Sequence, residues 1–129
     1  MSARLALVGR DESLTVEFAP PADDQAAAAA KEHGKGIALA QRGRLREALP
    51  RFKRAVQLWP LNADYLAALG HAYLELHQLQ EAESTFLTCL RLAPEDPDVL
   101  TMLGNVYFAQ GKLELAGQLY EFAWRRPVA

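Results

Sequence analysis

The chain has 129 residues, and half of them (50%) are apolar, which is enough to bury the core of one domain or of a short repeat array. Its 14 basic and 16 acidic residues are well mixed and give a formal net charge of -2, which excludes the broad positive field of a nucleic-acid-binding surface. The single cysteine excludes an internal disulfide and is compatible with a reducing compartment.

Two short apolar runs open the sequence, at residues 4–8 and 14–18, and a polar loop with Gly9 separates them. Their content of Leu, Val, Thr and Phe predicts a β-hairpin docked on the rest of the chain, with a loose tail as the alternative. We interpret residues 1–22 as an N-terminal arm that ends at Pro20 and Pro21. The apolar runs are too short for a signal-peptide core or a membrane span, so we expect a cytoplasmic protein.

The first helix is predicted to begin at Asp23 and Asp24, whose carboxylates can cap the free N–H groups of its first turn. The alanines of residues 26–30 are strong helix formers, and the helix is expected to continue to about Arg42.

From this helix onward the sequence repeats itself with a period of about 34 residues. Four residue series keep one constant interval: Gly36, Gly70, Gly104; Ala48, Ala82, Ala116; Phe52, Phe86, Tyr120; and Leu45, Leu79, Leu113. Each unit contains two stretches with helical periodicity, so the pattern predicts three helical hairpins, at about 24–60, 61–94 and 95–127. The small residues are expected to let the two backbones of a hairpin approach closely, and the aromatics to fill the seam to the next unit.

The signals for helix ends agree with this division. Asn62 and Asp96 are predicted to cap the first helices of the second and third units. Gly43 and Gly111 mark the turns within the first and third hairpins. His77 holds the corresponding place in the second, where we expect an unusual backbone angle.

The middle unit, from Leu66 to Pro94, has Gly70, Ala82 and Phe86 at the places where the tetratricopeptide repeat (TPR) has its glycine, alanine and aromatic residues, and Pro94 at the place of its proline. The unit therefore resembles that family. The resemblance extends over residues 23–129 and implies an all-α solenoid of three helix-turn-helix repeats, preceded by the short N-terminal hairpin.

The resemblance implies a non-catalytic protein-binding module, in which the first helix of each repeat lines a concave groove for a partner peptide or helix. The groove residues that it implies are His33, Ile37, Asp64, Ala67, Ala68, His71, Leu74, Asp98, Met102, Asn105 and Phe108. Acidic edges at Asp64 and Asp98 favour a ligand that is apolar with some basic residues. A scaffold or a chaperone-like adaptor would use such a groove.

One well-known version of this groove grips the C-terminal carboxylates of heat-shock chaperones with lysine, asparagine and arginine side chains. Projected onto this chain, those places are held by His33, Ile37, Ala68, Asp98 and Met102. The carboxylate clamp is therefore absent, and Asp98 would repel a carboxylate.

The first repeat departs from the other two. Glu32 and Lys35 stand where the later repeats have leucines, which gives the first helix the polar outer face of a terminal cap. Pro50 falls inside the second helix of this repeat, where we expect a bend without a break.

The third repeat departs in the opposite direction. Leu115, Leu119 and Phe122 stand where the first repeat has charged side chains, and their spacing places them on one helical face, with Trp124 close by. An apolar stripe of this kind needs a cover. Three covers stay open: a C-terminal helix that belongs to a longer chain, a homodimer seam, and the N-terminal hairpin folding back.

The sequence contains no candidate catalytic site. His33, His71 and His77 lack the spacing of metal ligands, and the sequence contains neither a phosphate-binding glycine loop nor a nucleophile elbow. Cys89 belongs to a series of small core residues and is interpreted as a buried packing thiol. We expect no enzymatic activity and no cofactor.

Two alternative functions remain beside the groove. One is a self-associating structural protein that forms a homodimer through the last helix. The other is a chaperone similar to the small three-repeat chaperones of bacterial type III secretion, which the chain resembles in size and repeat number.

Overall fold

The computed structural model describes residues 20–125 as three stacked helical hairpins. The six helices are α1 (Asp23–Gln41), α2 (Leu45–Leu58), α3 (Ala63–Glu75), α4 (Leu79–Leu92), α5 (Pro97–Ala109) and α6 (Leu113–Trp124). Consecutive helices pack against each other, so that α2 contacts α3 and α4 contacts α5 across the joints between hairpins. Residues 20–125 contain no strand, which confirms the all-α prediction. The predicted N-terminal hairpin lies outside the described residues.

Side-chain caps begin the first helices of the second and third hairpins, as predicted. The side-chain oxygen of Asn62 accepts a hydrogen bond from the backbone N–H of Tyr65 at 3.1 Å. Asp96 Oδ1 accepts one from the backbone N–H of Asp98 at 2.9 Å, with Pro97 in the first helical position. Each cap satisfies an N–H group that has no partner inside its helix.

The prediction that α1 begins at Asp23 and Asp24 is confirmed, and Asp24 Oδ1 accepts a hydrogen bond from the first-turn N–H of Gln25 at 2.9 Å, but neither residue occupies the capping position. The helix begins at Asp23 itself, and Ala22 occupies the capping position without a side-chain hydrogen bond. Both carboxylates therefore lie inside the first turn, where they stabilise the helix through its positive dipole end.

Each hairpin turns through one residue in the left-handed backbone region. Gly43 has a φ of 78° and Gly111 a φ of 83°, which glycine adopts without strain because it has no Cβ. His77 has a φ of 61° in the second hairpin and confirms the predicted unusual angle. α2 runs through Pro50 without interruption.

The repeated glycines serve the repeated aromatics of the same hairpin. A Cβ atom added to Gly70 would lie 2.8 Å from Cε1 of Phe86, and the pairs Gly36 with Phe52 and Gly104 with Tyr120 have corresponding distances of 2.6 and 2.5 Å. The aromatic ring of each second helix therefore occupies the space that a side chain on the first helix would need. Each ring therefore packs against the first helix of its own hairpin.

Side chains of α4 join this helix to the third hairpin and to α3 of its own hairpin. The Glu83 carboxylate accepts hydrogen bonds from the Tyr107 hydroxyl at 3.3 Å and from Gln110 Nε2 at 3.1 Å, which ties α4 to α5. The Cys89 thiol is buried and donates to the carbonyl of Ala63 at 3.4 Å. Burial raises the pKa of this thiol to about 11, so it is a packing residue.

The outer side of the first hairpin is polar. The Arg51 guanidinium donates to the Glu32 carboxylate at 3.0 Å, and this hydrogen bond holds the pKa of Glu32 below its ordinary value. Lys35 is exposed on the same helix. None of the helices within residues 20–125 is both long and apolar enough to cross a membrane.

Candidate functional site

The first helices of the three hairpins, α1, α3 and α5, share an open cavity of about 470 Å³, which we call the groove cavity. Seven of the eleven predicted groove residues line it: Ile37, Asp64, Ala67, Ala68, His71, Asp98 and Met102. Its floor contains two aromatic rings from the second helices, Phe52 and Phe86, which are buried in the core. The cavity is therefore apolar at its base and polar at its edge.

Seven further lining residues escaped the sequence analysis: Ala40, Leu45, Phe52, Ala72, Phe86, Asp96 and Val99. Leu45, Phe52 and Phe86 belong to repeated core positions, and repetition alone does not distinguish a fully covered residue from one that also reaches a cavity. Ala40 was predictable from the sequence. It occupies in the first repeat the position that Leu74 and Phe108 occupy in the second and third, and both of those residues were predicted.

Four predicted groove residues do not line the groove cavity. Leu74 is half-buried and packs against the core, whereas Phe108 is 61% exposed at the end of the array. Asn105 is engaged within the fold, because its Oδ1 accepts a hydrogen bond from the Tyr120 hydroxyl at 2.6 Å. These contacts, made between helices, cannot be read from the spacing of residues along one helix.

His33, the fourth of these residues, packs between two aromatic rings. Its ring centroid lies 4.6 Å from that of Tyr65 and 5.7 Å from that of Phe52. The Nδ1 atom is buried without a hydrogen-bond partner. Burial lowers the pKa of His33, and the nearby Asp64 carboxylate partly opposes that shift. His33 is therefore a packing residue at the joint of the first and second hairpins, and it favours its neutral form.

Carboxylates dominate the charge of the groove cavity. Asp64, Asp96 and Asp98 all belong to its lining, and no lysine or arginine of the described residues does. Asp64 and Asp98 are exposed, while Asp96 also caps α5. Their summed field attracts positive groups and repels carboxylates from this surface.

The last helix carries two apolar surfaces where the sequence predicted one. Leu115, Leu119 and Phe122 form the first, which we call the lateral stripe; Leu115 is 40% and Phe122 is 53% exposed, but Leu119 packs partly against the core. Trp124 is 86% exposed and does not belong to this stripe. At roughly 100° per residue it projects about 160° away from Phe122 around the helix. The prediction of a single face with Trp124 is wrong for that reason.

The described residues contain no cluster of three or more histidine, cysteine, aspartate or glutamate side chains arranged to hold a metal ion.

A family model for the tetratricopeptide repeat matches the chain at residues 33–97 and at residues 67–123, and these two matches together cover most of the described helices. The chain belongs to the tetratricopeptide repeat family. A comparison with curated proteins found no match.

Solved TPR structures share the fold of this TPR chain at low sequence identity. The second TPR of Spaghetti (RPAP3), bound to the HSP90 peptide SRMEEVD, superposes with a TM-score of 0.73 at 23% identity, covering 78% of this chain and 94% of that one. The TPR domain of Arabidopsis OM64 has a TM-score of 0.73 at 20% identity and coverages of 77% and 82%. A point mutant of MamA has a TM-score of 0.72 at 23% identity and coverages of 84% and 77%. These similarities confirm the all-α TPR solenoid.

Proposed function

We propose that this TPR protein is a non-catalytic interaction module whose groove cavity binds a partner peptide or helix that is apolar and positively charged. The observation that carries the proposal is the combination of an apolar base with three lining aspartates and no lining lysine or arginine among the described residues. An apolar anchor would fill the base near Ala68 and Met102, and cationic side chains would approach Asp64 and Asp98.

The solved TPR structures support the binding of a peptide, but the peptide bound in one of them has the opposite charge to the ligand proposed here. The second TPR of Spaghetti binds a peptide that ends in Glu-Glu-Val-Asp, a strongly acidic ligand. In this chain, an acidic ligand would meet Asp64, Asp96 and Asp98, and like charges at short distance weaken binding. The proposed ligand therefore has the opposite charge to the peptide of that neighbour.

The cellular role that fits such a groove is a cytoplasmic scaffold or chaperone-like adaptor that holds a segment of another protein. A secretion-type chaperone would use the same groove on an exported partner. Both roles need reversible binding of a segment, and an apolar base with an acidic edge suits such binding.

A pair of synthetic peptides tests the proposal. Both carry the same apolar anchors at i, i+3 and i+7, and they differ only in having lysine and arginine or glutamate at the positions between. Isothermal titration of the full chain should find the cationic peptide about tenfold tighter, with an affinity that falls as salt is added. Tighter or equal binding of the acidic peptide would refute the proposed charge.

Conservative variants locate the binding site. Asp64→Asn and Asp98→Asn should each weaken binding of the cationic peptide by roughly twofold to fivefold, the effect of one exposed charge pair. Glu81→Gln is the matched control, since Glu81 is also an exposed acid in the first turn of a helix but lies outside the groove cavity. An equal loss in the control would mean that the peptide senses only the overall charge of the protein.

A further inference from the structure

The groove side of α3 is acidic at both ends and apolar between them. Asp64 lies in the first turn of the helix, Ala68 and His71 line the groove cavity, and Glu75 is the last helical residue. Glu75 Oε2 lies 3.8 Å from Nε2 of His71, one turn before it, so both side chains belong to the same face. At a rise of 1.5 Å per residue, Asp64 and Glu75 are about 16 Å apart along the helix.

A segment of the chain outside the described residues has the complementary pattern. Residues 4–10, which we call the N-terminal segment, read Arg-Leu-Ala-Leu-Val-Gly-Arg: they have a cation at each end, apolar residues between and no acid. In an extended chain the Cα atoms of Arg4 and Arg10 are about 20 Å apart. This spacing is close to that of Asp64 and Glu75, and the long arginine side chains can accommodate the difference.

The other segments outside the described residues do not have this pattern. Residues 14–18 are apolar, but they contain Glu17 and closely follow Asp11 and Glu12, which the aspartates of the groove cavity would repel. Residues 126–129 contain one arginine and span at most about 14 Å, so they cannot place a cation at each end of the groove. Charge and length therefore select the N-terminal segment.

The N-terminal segment can reach the groove cavity of its own chain. Ile37, which lines the cavity from α1, lies fourteen residues after Asp23, the first residue of that helix, and therefore about 21 Å along the helix axis. The nine residues 11–19 connect the segment to the described chain and span up to about 30 Å when extended. The connection is therefore long enough.

We propose that the N-terminal segment binds in the groove cavity of its own chain, as an internal ligand that a partner segment must displace. This inference rests on the proposed function, because it assigns a first occupant to the same apolar and acidic groove. Covalent attachment raises the effective concentration of the segment at the groove, so that modest contacts are enough for occupancy. The apparent affinity for an external peptide is then reduced by the fraction of grooves that are occupied.

The point of attachment sets the direction of the segment. In the repeat register Asp64 corresponds to Ala30, which lies only seven residues after the start of α1. The Asp64 end of the groove is therefore the end nearer to the connecting residues. Arg10 pairs with Asp64 there, and Arg4 reaches Glu75, so the segment runs antiparallel to α3.

The apolar side chains of the segment fit the base of the groove cavity in this arrangement. Leu5 and Leu7 are two residues apart and therefore point to the same side of an extended chain. That side faces the base near Ala68 and Met102, where the alanine leaves room for a leucine side chain. Ala6 points to the opposite side, away from the base.

Paramagnetic relaxation enhancement in the full chain tests the contact. A nitroxide label is attached at Ala6→Cys in a Cys89→Ala background, which removes the native thiol and introduces the alanine that the other two repeats have there. The label should broaden the NMR signals of Ala68 and Met102 but not those of Leu87, which is exposed on α4 and does not line the groove cavity. Signals of Ala68 and Met102 that stay sharp would overturn the proposal.

A mixed sample separates the chain's own segment from that of a second copy. Isotope-labelled chains without nitroxide are mixed with unlabelled chains that carry it, so that any broadening must arise between two molecules. Little broadening is expected at Ala68 and Met102. Broadening as strong as in the singly labelled sample would overturn binding within one chain.

Leu5→Ser combined with Leu7→Ser should abolish the broadening and should let the cationic peptide of the proposed function bind about threefold to tenfold tighter. Leu14→Ser combined with Val16→Ser is the matched control, since it makes the same change in the other apolar run, and it should behave as the wild type does. Equal peptide binding by all three proteins would refute the internal ligand and leave the proposed function intact. Broadening without peptide binding in any of them would refute the proposed function and leave the internal contact intact.

An exchange of charges tests the direction. Arg4→Glu should reduce the broadening of the Ala68 and Met102 signals, and adding Glu75→Arg to that variant should restore it, because the second substitution recreates an opposite-charge pair. If the second substitution does not restore the broadening, the antiparallel arrangement is wrong.

Discussion

Two glycines of α1 allow the packing of aromatic rings against glycine to be measured directly. Gly34 and Gly36 lie close together in the same helix, but an added Cβ atom would meet no heavy atom within 4 Å at Gly34 and would lie 2.6 Å from Phe52 Cε1 at Gly36. Carbon atoms in contact are normally about 3.5 to 4.0 Å apart, so the Gly36→Ala methyl would overlap the ring by roughly 1 Å. Phe52 is buried, so a shift of its ring would disturb the core residues around it.

The two alanine variants are therefore expected to change stability in opposite directions. Gly34→Ala should raise the free energy of unfolding by about 0.5 to 1 kcal/mol, because alanine loses less backbone entropy in a helix. Gly36→Ala gains the same entropic stabilisation, but its methyl group also overpacks the core at a cost of about 1 to 3 kcal/mol. This variant should therefore be destabilised on balance. Both variants gain the same helix propensity. The difference between their free energies of unfolding therefore measures the contact with the Phe52 ring.

Urea unfolding followed by circular dichroism measures both free energies under the same conditions. Phe52→Leu should reduce the penalty of Gly36→Ala in a double-mutant cycle, since the smaller side chain vacates the overlapping space. Equal stabilisation by Gly34→Ala and Gly36→Ala would refute the account of why this glycine recurs in every repeat.

Three further predictions concern single side chains. Pro50→Ala should raise the free energy of unfolding by about 1 to 2 kcal/mol, because the exposed Pro50 lies inside α2 and has no N–H group for a helical hydrogen bond. A thermal or urea melt measures the change, and a lower stability of the variant would contradict this reasoning. The free energy of unfolding should fall as the pH drops below about 6.5, because burial lowers the pKa of His33 in the folded state and protonation then favours the unfolded chain. Urea unfolding at several pH values should show a smaller fall in His33→Leu than in the wild type. An unchanged fall would assign the effect to another group. Alkylation of Cys89 at neutral pH should be slow in the native protein and fast in urea, because burial raises its pKa to about 11, and equal rates would contradict a buried thiol.

The repeat period accounts for most of what the sequence predicts correctly. Positions that recur once in each repeat identify the hairpins, and the local chemistry of Asn62, Asp96 and His77 places helix starts and a turn, because caps and turns depend on residues close together in sequence. Asp23 and Asp24 show the limit of this reasoning. Consecutive acidic residues indicate a helix start without deciding which residue is the cap.

Contacts between helices determine which predicted groove residues reach the groove cavity. Asn105 has the spacing of a groove residue, but the Tyr120 hydroxyl on α6 engages its amide. His33 has the same kind of position and instead packs against Tyr65 of the next hairpin. The grouping of Trp124 with Phe122 fails for a simpler reason, since residues two apart on a helix point in different directions. Comparison of each residue with its counterparts in the other repeats would have separated the two surfaces of α6.

The most direct test of the account is an NMR titration of the full chain with the cationic amphipathic peptide. Binding at the groove cavity should produce saturable shifts at Ile37, Ala67 and Met102, which belong to three different helices. The acidic peptide should produce weaker shifts at the same atoms. Shifts confined to α6, or stronger shifts with the acidic peptide, would contradict the proposal that this TPR groove holds a cationic, apolar segment.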